Sequence, residues 1–212
     1  MAENISRRNF LKTAGITAAA LGITVCGGGA LAAMPPKIEM QSASYGEKTM
    51  DKKILITYAS KAGSTAETAA RMGEMLAGQN AQVDVLPVEK AGDLSAYQAV
   101  VLGSAIRMGQ LLPEVVKFVE ANQAVLQQKS FNVFFLCMTL EKDTPENRQT
   151  VNAYLEPVRA LVKPASEGMF AGVMDPKKLS LLERMMMKAM KTPVGDFRNW
   201  DQINAWAQSL AA

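Results

Sequence analysis

ILITYASKAGSTAETA, residues 54–69, decides the fold. Its opening, Ile54 to Tyr58, is a short β-rich run preceded by charges and followed by small residues. From Thr65 to Ala77 the residues Ala66, Ala69, Ala70, Met72, Met75 and Leu76 recur at helical spacing. The stretch is therefore a strand that enters a helix through one tight turn, Ser60-Lys61-Ala62-Gly63-Ser64-Thr65.

Outward from this unit the same alternation repeats. Val83–Val88, Ala99–Gly103, Asn132–Met138 and, more weakly, Gly168–Met174 read as further strands, with Ala99–Gly103 and Asn132–Met138 the buried, apolar ones. Pro113–Gln128 and Pro145–Leu161 read as helices, each with an apolar face and a proline near its start. Leu179–Met190 is an extra helix, and Trp200–Leu210 is the closing one. Strands alternating with helices predict an α/β fold: a doubly wound, five-stranded parallel sheet with helices on both faces.

The N-terminus has a different character. SRRNFLK, residues 6–12, carries paired arginines and precedes an apolar run from Ala14 to Val25 and small residues at 30–33. Those parts read as a twin-arginine signal for export of folded cargo, occupying residues 1–33. Residues 34–51 mix Pro, Ser, Gly, Glu and Lys without an apolar period and read as a flexible tether, leaving residues 52–212 as the domain.

Composition narrows the chemistry. Apolar residues make up 49% of the chain and charged ones 20%, which places it among globular proteins. The formal charge is +3, and the leader holds +2 of it through Arg7, Arg8 and Lys12 against Glu3. The remainder is nearly neutral and gives no electrostatic footprint for nucleic acid. Of the two cysteines, Cys26 falls in the leader, where lipidation is one reading, and Cys137 sits in an apolar run that predicts a buried thiol. Histidine is absent, which removes the usual general base and the commonest metal ligand. No catalytic side chain or metal ligand is assigned, so the chemistry is expected to arrive with a bound molecule.

In a doubly wound sheet that molecule binds beyond the carboxyl ends of the strands. The turn at 60–65 offers three hydroxyls, the positive end of a helix and Gly63, which is free to take unusual dihedrals. A phosphate monoester asks for that combination. Simple N-capping by Ser64 or Thr65 is the plainer alternative.

YASKAGSTAETA (58–69), VVLGSAIRMGQLLPE (100–114) and DFRNWDQINAWA (196–207) together resemble the flavodoxin-domain family, in particular the group of menaquinone-dependent protoporphyrinogen oxidases. The resemblance implies a flavodoxin-like fold and FMN as cofactor. It places the phosphate on Ser60, Lys61, Ala62, Gly63, Ser64 and Thr65, with Ala62 standing where the family has a hydroxyl. It sets one side of the flavin ring against Ser104, Ala105, Ile106, Arg107, Met108 and Gly109. The opposite wall falls to Cys137, Met138 and Thr139. Met108 occupies a loop where flavodoxins usually stack an aromatic ring. An FMN domain loaded in the cytoplasm folds before it crosses, which accounts for a folded-cargo signal.

Three functions stay open. The first is an extracytoplasmic FMN oxidoreductase or electron carrier, linked to quinone or to another small-molecule or protein donor and acceptor. The second is a protoporphyrinogen dehydrogenase, and the third a flavodoxin-shaped module without flavin. Residues 177–191 combine Met, Leu, Lys and Arg in an amphipathic stretch. Such a stretch rests on a membrane surface, accepts a flat apolar substrate, or packs on the sheet with its lysines in solvent.

Overall fold

The computed structural model describes residues 40, 42–47 and 52–210. Their contacts divide them into two units, residues 40–175 with 193–210, and residues 176–192. The targeting leader, Cys26 and most of the expected tether lie outside the described residues.

In the larger unit, seven strands form one sheet. They are β1 (Ala43–Tyr45), β2 (Lys52–Ala59), β3 (Ala81–Pro87), β4 (Ala99–Arg107), β5 (Gln110–Leu111), β6 (Ser130–Leu136) and β7 (Ser166–Phe170). The order is β1-β3-β2-β4-β6-β7, with β5 folded back on β4. Five of these strands, β3-β2-β4-β6-β7, run parallel, as the sequence predicts. The parallel winding starts at β2, steps outward to β3, then returns to β4 on the other side, so it reverses between β2 and β4.

Continuous apolar strands bury both faces. Leu55, Val100, Leu102, Phe131, Val133 and Phe135 pack with α2 (Pro113–Leu126) and with α3 (Pro145–Ala153) and α4 (Glu156–Arg159). Ile54, Ile56, Tyr58, Val101, Phe134 and Leu136 point the other way, onto α1 (Ser64–Ala77) and α6 (Trp200–Ser209). Period-two alternation along each strand sends successive apolar side chains to opposite cores. Each fully buried aliphatic or aromatic side chain contributes about 1.5–3 kcal/mol.

Four elements differ from the sequence expectation. Within the stretch expected to be a tether, Ala43–Tyr45 forms an edge strand antiparallel to β3. It is held by Ser44 Oγ donating to Asp84 Oδ1 at 2.7 Å and by the Tyr45 ring lying against Gly73, where a Cβ would come within 2.9 Å. The third parallel strand runs on to Arg107 and turns back as β5, in place of a loop beginning at Ser104. The helix expected at 145–161 breaks at Tyr154–Leu155, because Pro157 lacks an N–H and its ring would strike the carbonyl of Ala153. The last parallel strand occupies Ser166–Phe170, and Val173–Met174 (β8) leaves the sheet to pair with β9 (Gly195–Asp196).

Residues 176–192 hold α5 (Leu181–Ala189). Ser180 and Glu183 form a reciprocal capping box: Ser180 N donates to Glu183 Oε2 at 2.8 Å, and Glu183 N to Ser180 Oγ at 3.3 Å. Leu179 and Met187 are buried, whereas Leu181, Leu182, Met185, Met186 and Met190 are exposed along one helical stripe. Among the described residues no helix is long and apolar enough to cross a membrane.

Candidate functional site

Register brings the three expected segments to one edge. Ala59, the last residue of β2, pairs with Ser104 of β4, and Ala105 pairs with Leu136, the last residue of β6. β2 and β6 therefore end at one level on either side of β4, which runs on beyond them to Arg107 before it turns back. Sequence places these segments 45 and 33 residues apart, counting Ala59 to Ser104 and Ser104 to Cys137; only the strand order makes them neighbours.

The first turn is built around Gly63. This residue is the N-cap of α1 and adopts φ 88°, a left-handed conformation that a side chain would strain. Its N–H donates to Ser60 Oγ at 2.9 Å, and its carbonyl accepts from Glu67 N at 3.0 Å. No side chain caps α1. Ser64 and Thr65 are instead its first two helical residues, both buried. The plain capping alternative for these two hydroxyls is therefore not what the chain does. Thr65 Oγ1 is fully buried without a hydrogen-bond partner. A buried hydroxyl left in that state costs about 1–3 kcal/mol, so the site asks for an acceptor. Ala62 is half-buried beside it, and Lys61 Nζ reaches Glu114 Oε1 at 2.5 Å.

The second segment is a strand extension and hairpin. Ser104 is buried, with its Oγ donating to the Ala105 carbonyl at 2.9 Å and accepting from Leu112 N at 3.4 Å. Its hydroxyl ties the hairpin to its return and is spent there. Ala105, Ile106 and Arg107 are half-buried, and Ile106 pairs with Leu111 and Arg107 with Gln110. Met108 and Gly109 form the tip, with φ of 52° and 75°. Two successive positive φ values are what a two-residue hairpin turn requires. Met108 stands 87% exposed, and Gly109 lies over the Tyr154 ring.

In the third segment Cys137 is buried in the core, its N–H donating to the Phe170 carbonyl at 2.9 Å. The thiol thus belongs to the packing and not to a wall. Met138 and Thr139 begin a short 3-10 turn and remain half-buried at the rim.

The sequence assigns no role to two residues of the site. Glu114, in the first turn of α2, has its carboxyl held below the usual carboxylate range by the hydrogen bond from Lys61. Arg198 comes from the segment before α6 and donates to the Ser64 carbonyl at 3.3 Å. The spacing of Asp196 and Arg198 hints at a local ion pair; nothing local tells that the pair reaches residue 64.

An uncapped helix start, a left-handed glycine, an orphaned buried hydroxyl and a nearby ammonium fit a phosphate monoester. Among the described residues no cluster of side chains suits a metal ion.

Comparison with known proteins bears on the fold and the family. An NADH:FMN oxidoreductase in its apo form superposes with a TM-score of 0.50 at 14% identity, over 76% of this chain and 88% of that one. Flavodoxin 2 from Bacillus cereus gives 0.46 at 21%, over 75% and 97%. A Streptococcus pneumoniae flavodoxin gives 0.48 at 18%, over 75% and 97%. No curated protein matches the chain. Residues 4–24 match the twin-arginine translocation signal, which directs the protein to that machinery and out of the cytoplasm. Residues 55–200 match the flavodoxin domain model. The chain belongs to the flavodoxin-domain family: it is an exported protein of electron transfer or oxidoreduction whose cofactor is FMN.

Proposed function

We propose that this protein is an extracytoplasmic FMN electron carrier or reductase that exchanges electrons with a quinone at the membrane surface. The observation that carries the reading is Thr65 Oγ1, buried and unpartnered beside an uncapped helix start. Ser60, Lys61, Ala62, Gly63, Ser64 and Thr65 hold the phosphate, with the amides of the first turn of α1 and the Thr65 hydroxyl as donors. The hairpin 104–109 and residues 138–139 border the ring, and Cys137 supports that wall from the core. Bound FMN supplies transfer of one or two electrons. The chain itself holds, orients and partly shields that group, which needs no histidine.

The membrane contact is assigned to residues 177–191. Leu181, Leu182, Met185, Met186 and Met190 form the apolar stripe. Lys177, Lys178, Arg184, Lys188 and Lys191 against Glu183 alone favour anionic headgroups.

A second reading, a module that binds no flavin, draws on Met108: a thioether at a hairpin tip offers less stacking area than an aromatic ring. One experiment separates these readings. Protein exported by its native host is purified, its flavin spectrum recorded, and the reduced form mixed anaerobically with a panel of quinones, protoporphyrinogen-type donors being tested with the oxidised form. A yellow protein reoxidised by quinone supports the proposal. Colourless protein that ignores added FMN contradicts it, and porphyrinogen oxidation would assign the dehydrogenase instead.

A further inference from the structure

Arg198 is the most enclosed cation among the described ion pairs, with its side chain only 7% exposed. Such a charge is retained only with close partners. Asp196 supplies the main one: Arg198 Nε donates to Oδ1 at 2.9 Å and Nη2 to Oδ2 at 2.6 Å. Glu67 Oε2 lies 3.1 Å from Nη2, and the guanidinium sits over the Trp200 ring, 4.5 Å from its centroid. Burial opposes the charge on Arg198, and Asp196 and Glu67 more than restore it, so the guanidinium stays protonated.

The remaining donor, Nη1, is aimed at the first turn of α1. It reaches the Ser64 carbonyl at 3.3 Å and Thr68 Oγ1 at 3.5 Å, and Thr68 Oγ1 in turn donates to the same carbonyl at 3.0 Å. The Ser64 carbonyl and the Thr65 N–H belong to one planar trans peptide, in which C=O and N–H point in opposite directions. Holding the oxygen therefore fixes where the Thr65 amide points. Polarising the oxygen also strengthens that amide as a donor.

We propose that Arg198 is a positioning residue for the phosphate subsite. Through the Ser64–Thr65 peptide it aims the Thr65 N–H at the FMN phosphate. The inference rests on the FMN reading of the 60–65 turn. Direct attraction is not the mechanism, because Asp196 and Glu67 together carry two negative charges against the one positive charge of Arg198. What matters is the rigid planar fork, which spans Asp196 and the Ser64 carbonyl at once; an ammonium on a flexible stem cannot do both.

Riboflavin differs from FMN only in lacking the phosphate, so the pair of ligands isolates this subsite. The full chain, stripped of flavin, is titrated with FMN and with riboflavin as wild type, Arg198→Lys and Arg198→Met. Both substitutions are expected to weaken FMN by about tenfold or more and to leave riboflavin within about twofold. Equal weakening of both flavins would show a general structural role, and unchanged FMN affinity no role; either overturns the inference. Should Arg198→Met fail to fold, Arg198→Lys, which keeps the charge and loses the fork, decides alone. Wild-type protein that binds neither flavin would instead remove the FMN reading, and the positioning role with it, before any variant is compared.

Discussion

Lys61, in the turn after β2, donates to Glu114 Oε1 at 2.5 Å, while Glu114 Oε2 is buried without a partner. The pair joins the turn proposed to hold the phosphate to the first turn of α2, which directly follows the hairpin at 104–111. Both side chains are about one-third or more exposed, so the pair contributes little to stability, about 0–1 kcal/mol. Its effect falls on the ligand. Lys61→Ala is expected to weaken FMN about tenfold. Glu114→Gln, which removes an anion beside the cradle and releases the ammonium, should tighten FMN a few-fold. Riboflavin should be insensitive to both changes, as read by fluorescence titration; a matching change in riboflavin would move Lys61 away from the phosphate.

Gly63 holds φ 88°, a region costing a substituted residue about 1–2 kcal/mol. Gly63→Val is expected to lower the melting temperature modestly and to abolish flavin retention through purification. Retention at the wild-type level would contradict the cradle.

Met108 pays a comparable backbone strain at φ 52°, in a turn that favours Asn before Gly. Met108→Asn should therefore stabilise the flavin-free protein by up to about 1 kcal/mol. It should also weaken FMN and riboflavin alike, since the contact proposed for Met108 is with the ring and not with the phosphate. Denaturant unfolding and paired titrations read the two effects; an unchanged affinity for both flavins would remove Met108 from the wall.

Tyr97 supplies a pH dependence. Burial and the bond it donates to Asp84 Oδ2 at 2.9 Å push its hydroxyl up to about 12, from 10 in the unfolded chain. The native state thus keeps a proton that the unfolded state releases. This contribution is whole below pH 10 and is lost as pH rises from about 10 to about 12. Tyr97→Phe should flatten the fall in stability across that window, measured by denaturant midpoints. An equally steep fall in the variant would place the alkaline sensitivity elsewhere.

The parallel strands are readable in the sequence because burial on both faces demands unbroken apolar runs such as those at 99–103 and 133–138. The cradle is readable because strand, small polar turn and helix are consecutive. The hairpin is not, since Met108-Gly109 lacks the Asn or Asp that announces a tight turn and Ser104–Arg107 has no marked alternation. β1 escapes notice for another reason: three residues carry too little pattern, and its hold comes from Gly73 and Asp84 far along the chain. Arg198 is the extreme case, acting on Ser64 across 134 residues. Long-range side-chain contacts leave no local period to detect.

The turn at 60–65 is proposed to grip the phosphate of FMN. The most direct test is the ratio of riboflavin to FMN dissociation constants for the flavin-free wild-type protein. Charge-assisted bonds from several amides and the Thr65 hydroxyl predict FMN bound about a hundredfold or more tighter. Equal affinity for the two ligands would mean that the phosphate makes no contact there, and would contradict the account.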